Sequence, residues 1–245
     1  MAYHKTHNYL LNPTHKITVD LVGVGGTGSQ VLSALARIHT GLVALGHPGI
    51  HVRAFDHDTV SMANVGRQLY SPGDLGLNKA IISITRINRF FGFEWEAINA
   101  KFDTLNHANI LITCVDTAKT RIEIGKGIYT NTGGYEYGKR FYWLDFGNSQ
   151  KTGQVVLGTL FSEELKSVTQ LFDLKKIKEK NQGPSCSLAE ALGKQDLFIN
   201  STLANLGCNL LWKLITDGRI DYHGLYLNLT TMQVRPIKVA EMEAT

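Results

Sequence analysis

The feature of this sequence that most restricts its fold is the run GVGGTGS at residues 23–29, which contains four glycines. β-Branched residues in segment 16–22 precede the run, and apolar residues at helical spacing follow it to residue 45. A strand that turns through glycines into a helix lets backbone amides at the helix N-terminus face a phosphate. The pattern favours a phosphate-binding turn. A packing turn without a ligand is the alternative that glycines alone leave open.

Strand-like and helix-like segments alternate along most of the chain. This alternation predicts an α/β fold, a Rossmann-like and mostly parallel sheet with helices on both faces and a C-terminal antiparallel extension. The predicted strands are 16–23, 50–55, 94–100, 109–115, 140–146 and 154–161, and a closing hairpin covers 224–239. The predicted helices are 29–45, 78–90, 117–129, 187–192 and 197–214.

The composition is that of a folded globular protein, since 43% of the 245 residues are hydrophobic and 19% are charged. We predict one domain over 1–245, with an N-terminal arm at 1–16 and a mobile, lysine-rich crossover loop at 163–186. The net charge of +4 is too small to indicate nucleic-acid binding. No apolar run is long enough for a membrane span or a secretion signal, so a cytoplasmic location without membrane contact is expected.

Three of the predicted strands end at residues suited to a shared site, which are Gly23, Asp56 and Asp116. Ligands of such sheets bind beyond the carboxyl ends of the strands, so we expect these residues to meet. Asp56 stands where an acid commonly accepts hydrogen bonds from ribose hydroxyls. It follows the last glycine of the turn by 28 residues rather than the usual spacing of about 20, which predicts an insertion between them.

A group of polar side chains, Asn64, Arg67, Gln68 and Lys79, follows Asp56 within one connecting segment. An arginine fork and a lysine charge are suited to holding the oxygens of a triphosphate. Asp116 would supply a carboxylate for a hard cation such as Mg²⁺. Each residue alone would be interpreted as a solvated surface charge, and their grouping near strand ends favours a triphosphate site.

The block DHDTVSMANVGRQ at 56–68, together with the glycine turn, Lys79, VDTA at 115–118 and Arg121, resembles a known family. It is similar to the adenylation domain of E1-type ubiquitin-activating enzymes and the ThiF/MoeB/HesA group, over about residues 16–240. The run PSCS at 184–187 and the long variant loops most resemble the ThiF-like branch of PRTRC plasmid-associated systems. The resemblance implies ATP-dependent adenylation of the C-terminal carboxylate of a ubiquitin-like protein, with release of pyrophosphate.

The resemblance also implies cofactors, partners and a role for each matching residue. The cofactors are ATP and Mg²⁺, and the partners are a ubiquitin-like protein with a free C-terminal tail, an E2-like protein and a second copy of the chain. The implied nucleotide-binding residues are Gly23, Gly25, Gly26, Gly28, Asp56, Asp58, Asn64, Arg67, Gln68 and Lys79. The implied catalytic residues are Arg67, Asp116 and Cys186, with Asp116 as the Mg²⁺ ligand.

Cys186 is a candidate nucleophile for a later thioester step. Ser187 and Glu190 form a capping-box pattern, which predicts a helix that begins directly after the cysteine. A helix N-terminus and a preceding lysine-rich segment both favour the thiolate. A structural cysteine at a loop–helix junction is the alternative, and Cys114 and Cys208 are interpreted as packing residues.

Two departures from the family and two rival functions remain open. The chain has no CxxC pair, so we predict no zinc. Relatives often supply an arginine from the N-terminal arm of the other subunit, and here no arginine precedes Arg37. The rival functions are an NAD(P)-dependent oxidoreductase and a non-catalytic E1-like nucleotide-binding scaffold, and a narrower rival replaces the ubiquitin-like substrate by a short peptide or small acid. The residues of the N-terminal arm that could substitute for the missing arginine are His4, Lys5, His7, His15 and Lys16.

Overall fold

A computed structural model describes residues 2–104, 107–130, 140–160, 162, 164–177 and 188–240. Its strands are β1 (His4–Lys5), β2 (Ile17–Val22), β3 (Ile50–Phe55), β4 (Glu96–Ile98), β5 (Ile110–Thr113), β6 (Tyr142–Asn148), β7 (Thr152–Thr159), β8 (Arg219–Ile220), β9 (Tyr222–Asn228) and β10 (Gln233–Lys238). Its α-helices are α1 (Asn8–Leu11), α2 (Gly26–Ala44), α3 (Lys79–Phe91), α4 (Ala118–Thr130), α5 (Val168–Leu171), α6 (Leu188–Lys194) and α7 (Ile199–Thr216).

Eight strands form one sheet in the order β10-β9-β7-β6-β5-β2-β3-β4. The five strands from β6 to β4 in this order pair with one another in parallel. The β6–β7, β7–β9 and β9–β10 pairs are antiparallel. The predicted fold class is therefore confirmed, including the closing hairpin. The chain leaves β2 toward β3 and β4 and later returns to pair β5 with the other side of β2. This reversal creates a crevice at the carboxyl ends of β2 and β5.

Side chains of the central strands alternate between two hydrophobic clusters, one on each face of the sheet. Ile110 and Ile112 of β5 pack into the larger cluster with α2, α3 and α7, whereas Leu111 packs into the smaller one with Ile124 and Ile128 of α4. Successive strand residues point to opposite faces, so the uninterrupted apolar pattern of 109–115 reflects helices on both sides. This confirms the prediction that helices cover both faces.

Helix α2 begins inside the glycine-rich run, at Gly26, rather than at residue 29 as the apolar pattern predicts. Gly26, Thr27 and Gly28 belong to its first turn, and they carry no apolar signal although Thr27, Gly28 and Ser29 are buried. None of the helices in the described part of the chain combines the length and hydropathy that a membrane span requires.

The predicted N-terminal arm packs against the body of its own chain. β1 pairs with β8, and the Thr6 hydroxyl donates to the Leu214 carbonyl at 2.6 Å. The buried His4 ring contacts the Glu164 carboxylate at 2.6 Å and the Tyr142 hydroxyl at 2.9 Å. These contacts hold His4 within its own subunit, which removes it from the set of residues that could replace the missing arginine.

The described part of the predicted crossover loop, residues 164–177, includes α5 and is anchored in the fold. Leu165, Val168 and Leu174 are buried, and the latter two pack against α4. Residues 178–187, which include Cys186, lie outside the described residues. The mobility of the loop and the role of Cys186 therefore stay predictions.

The buried histidines predict that the protein loses stability in mild acid. Burial lowers the pKa of His4, His39 and His223 below the ordinary value of 6.5, because each ring is costly to charge inside the protein. The unfolded chain takes up protons as the pH falls below that value, while the folded chain resists them until its lower pKa values are reached. The free energy of unfolding should therefore decrease from about pH 7.5 to about pH 5.5.

Urea denaturation across this pH range checks that prediction. His39 Nδ1 accepts a hydrogen bond from the Ile50 amide at 3.0 Å, so the neutral ring has a defined role. Replacing His39 by glutamine should reduce the pH dependence. A free energy of unfolding that is constant or rises in acid would contradict the expectation.

Candidate nucleotide-binding site

A cavity of about 730 Å³ opens at the carboxyl ends of β2, β3 and β5. Small-molecule sites in proteins commonly have volumes of about 300–1,000 Å³. The sequence-predicted residues that line it are Gly23, Gly25, Asp56, Asp58, Lys79 and Asp116. The strands thus bring residues from the glycine turn, the second strand and the later strand β5 to one place.

The glycine turn is shaped by close backbone approaches. Gly23 has φ +87°, a conformation that residues with a side chain rarely adopt, and its amide donates to the Phe55 carbonyl at 2.9 Å. A Cβ on Gly28 would lie 1.9 Å from the Gly23 carbonyl oxygen. Among the described residues no side chain caps α2 at Gly25, and the first turn of the helix has no acidic residue, so its N-terminal amides are available to an anion.

Two alanine substitutions are expected to separate the structural and binding roles of these glycines. Gly28→Ala should lower the free energy of unfolding by about 1–3 kcal/mol, because its methyl group would overlap the Gly23 carbonyl. Gly25→Ala should lower it by less, because the Cβ added there would not overlap a backbone atom as the Cβ of Gly28→Ala does. Gly25 has φ −79°, and the atom nearest to its added Cβ is Gln68 Oε1 at 3.9 Å.

Because Gly25 lines the cavity, its alanine variant should nevertheless bind Mg-ATP more weakly. Urea denaturation and titration calorimetry measure the two effects. Equal stability of both variants would contradict the structural assignment, and unchanged ATP affinity of Gly25→Ala would contradict the binding role.

The Asp56 carboxylate ties the end of β3 to the glycine turn. Its Oδ2 accepts from the Val24 amide at 2.7 Å, and its Oδ1 accepts from the Asp58 amide at 2.9 Å. The side chain is buried but lines the cavity. Each carboxylate oxygen can accept a second hydrogen bond, so a structural role and a ribose-binding role are compatible.

Charged groups of both signs meet across the cavity. Lys79 is buried, and its Nζ lies 3.2 Å from Asp58 Oδ2. Surrounding protein raises the pKa of the Asp116 carboxyl, while the positive charges of Lys79, Arg121 and Arg67 oppose that rise. Within the described residues, Asp116 accepts no hydrogen bond, so its charge is available to a ligand. Candidate metal-binding atoms of Asp56, His57 and Asp58 also lie within 4.8 Å of one another.

Asn64, Arg67 and Gln68 lie beside the cavity rather than in its wall. Asn64 Oδ1 accepts from the Ser61 amide at 2.9 Å, which holds the connecting loop. Arg67 Nε and Gln68 Oε1 are buried, and neither has a hydrogen-bond partner among the residues that the structure describes. Buried polar atoms without partners are costly, so these two are candidates for ligand contacts.

The structure also adds residues that sequence reasoning missed. Fully buried Asp145 in β6 binds Arg121, with both carboxylate oxygens 3.0 Å from Arg121 Nε. An acid inside the apolar strand pattern YWLDFGN was the available signal for Asp145. Gln195 contacts Arg67, and Asn200 contacts Thr27 in the first turn of α2. No sequence motif marks either residue.

The two described cysteines are placed differently. Cys208 is buried in α7, and burial raises the pKa of its thiol to about 12. Its interpretation as a packing residue is confirmed. Cys114 lies at the end of β5 beneath the glycine turn and also lines the cavity, and burial raises its thiol pKa as well.

The sheet order and the cavity at its reversal define a Rossmann-like α/β protein of the class whose ligands bind at a topological switch point. Residues 11–245 match the model of the ThiF family, and the chain belongs to that family. The narrower resemblance to the PRTRC branch stays a prediction.

Curated relatives match part of the chain. Ubiquitin-like modifier-activating enzyme 5 of Branchiostoma floridae is 30% identical over 152 residues, which cover 54% of this chain and 33% of that protein. The Gallus gallus protein of the same name is 27% identical over 152 residues, covering 54% of this chain and 34% of its own. The chain thus spans about a third of the length of these relatives.

Solved structures share the fold at low sequence identity. PaaA superimposes with a TM-score of 0.63 and 15% identity, covering 92% of this chain and 65% of its own. E. coli MccB with MccA-N7isoASN gives a TM-score of 0.64 at 15% identity, covering 96% of this chain and 66% of its own. E. coli MccB with ATP gives 0.59, again at 15% identity and covering 96% and 66%.

Proposed function

We propose that this chain is an ATP-dependent adenylyltransferase that activates a substrate carboxylate. The observation that carries the proposal is the cavity at the switch point, where Lys79 and Asp116 face the glycine turn. Membership of the ThiF family supports it. A carboxylate oxygen of the substrate attacks the α-phosphorus of ATP. The bond from that phosphorus to the bridging oxygen breaks, and pyrophosphate leaves with the bonding electrons.

The residues present fit a magnesium nucleotide. Asp56 would accept from the ribose hydroxyls, and the amides at the start of α2 would face the phosphates. Lys79 and Arg67 would neutralise phosphate charge. Arg67 Nε, which has no partner in the part of the chain that the structure describes, would offer a further donor. Asp116 would hold Mg²⁺, which would supply additional neutralisation of the phosphate oxygens. Positioning and charge neutralisation would thus provide the catalysis.

The substrate that we propose is the C-terminal tail of a ubiquitin-like protein. The similarity to ubiquitin-like modifier-activating enzyme 5 supports this choice over a small acid. We further propose action in the cytoplasm as a homodimer, with transfer of the product to Cys186 as a thioester and then to an E2-like protein. These later steps rest on the sequence resemblance.

Intact-protein mass spectrometry tests the proposal. The chain is incubated with Mg-ATP and a panel of ubiquitin-like proteins that have free C-terminal tails. An adenylated panel protein supports activation, and a thiol-sensitive adduct that Cys186→Ser lacks supports the thioester. Binding of Mg-ATP without any adenylate would favour the scaffold alternative or a peptide substrate. Binding of NADH in place of ATP would favour an oxidoreductase.

A further inference from the structure

Arg67 is held by side chains that come from distant parts of the chain. Its Nη1 donates to Oε1 of Gln195, which follows α6 directly and lies 128 residues later in the sequence. The same Gln195 oxygen accepts from Asn200 Nδ2 at 3.0 Å. Gln195 Nε2 donates to Asn148 Oδ1, also at 3.0 Å. We call Asn148, Gln195 and Asn200 the amide cluster.

The amide cluster is anchored to the first turn of α2. Asn148 Nδ2 donates to Asn200 Oδ1 at 2.7 Å and to the Thr27 hydroxyl at 3.1 Å, and that hydroxyl donates to Asn200 Oδ1 at 2.9 Å. Asn200 is buried, and a Cβ on Gly26 would lie 2.6 Å from its Nδ2. Each amide of the cluster both donates and accepts, so the direction of the Gln195 carbonyl is determined by its neighbours.

The group that holds Arg67 is neutral. A carboxylate in this place would form an ion pair with the guanidinium and cancel much of its charge. The Gln195 carbonyl instead accepts a hydrogen bond from Arg67 without adding a negative charge that would cancel that of the guanidinium. Arg67 Nε is buried and has no hydrogen-bond partner among the described residues, so it is a donor that a ligand could satisfy.

We propose that Gln195 is a positioning residue of the adenylation site, which orients Arg67 through a neutral acceptor so that its full charge is presented to the phosphates. This inference rests on the proposed function. It predicts that Gln195→Ala binds Mg-ATP about tenfold more weakly, since a hydrogen bond to a charged group is lost. Gln195→Glu should also bind more weakly, because the carboxylate would compete with phosphate for Arg67.

Gln150, in the turn between β6 and β7, provides a matched control. Its Nε2 donates to the Gly193 carbonyl at 2.9 Å, so it contacts α6 without contacting Arg67. Gln150→Ala should leave the dissociation constant of Mg-ATP unchanged. Urea denaturation of all variants accompanies the calorimetry, so that a general loss of folding is recognised.

A double-mutant cycle separates positioning from structural support. In an Arg67→Ala background the amide cluster remains, so a merely structural role would still weaken ATP binding when Gln195 is also replaced. A positioning role predicts that Gln195→Ala has no further effect in that background. The inference is overturned if Gln195→Ala binds like the wild type, or if its effect persists without Arg67. Failure of the wild type to bind Mg-ATP would instead overturn the proposed function.

Discussion

Replacing Asp116 by asparagine is expected to lower the rate of adenylate formation by at least about 100-fold. The carboxylate lines the cavity and lies near the charges of Lys79 and Arg67, where a magnesium–phosphate group would be neutralised. Asparagine keeps the shape of the side chain but removes its charge. The rate is measured as pyrophosphate release from Mg-ATP in the presence of the free, unmodified protein that the wild type adenylates.

The same variant should keep the stability of the wild type to within about 0.5 kcal/mol. Surrounding protein raises the pKa of the Asp116 carboxyl, which means that folding disfavours its charge rather than depending on it. Asp173→Asn is the control, since Asp173 pairs with Lys176 on the surface outside the cavity. Full activity of Asp116→Asn, or loss of activity only through unfolding, would contradict the assigned role.

Replacing Arg121 by alanine is expected to lower the free energy of unfolding by about 3–5 kcal/mol. Arg121 Nε lies 3.0 Å from both oxygens of fully buried Asp145, and its Nη2 donates to the Phe146 carbonyl at 2.6 Å. Removing the arginine leaves the Asp145 carboxyl buried without its cation. Burial already raises the pKa of that carboxyl, and the loss of Arg121 would raise it further.

Urea denaturation at neutral pH measures this effect, with Lys119→Ala as the control on the same helix. Lys119 pairs with Glu123 at 3.9 Å on the surface, so its removal should cost less than about 0.5 kcal/mol. The double variant Arg121→Met, Asp145→Leu should recover part of the lost stability, because it removes both buried charges. A cost for Arg121→Ala as small as that for Lys119→Ala would show that the pair does not stabilise the fold.

Much of the fold could be predicted because its signals are local. The continuous apolar pattern of 109–115 indicated a strand buried on both faces, and β5 lies there. The apolar spacing of 78–90 indicated a helix, and α3 covers nearly the same residues. The predicted start of α2, at residue 29, was less accurate. The helix begins at Gly26, and the glycines of its first turn carry no apolar signal.

The same difference between local and long-range signals applies to the candidate site. The sequence by itself determined the glycine turn and the strand ends at Asp56 and Asp116, because neighbouring residues encode strands, turns and helices. Only the tertiary structure decided that Gln195 holds Arg67 and that Asp145 pairs with Arg121. Such contacts depend on strand order and helix docking, which result from packing between residues far apart in the chain and leave no periodic pattern near either partner.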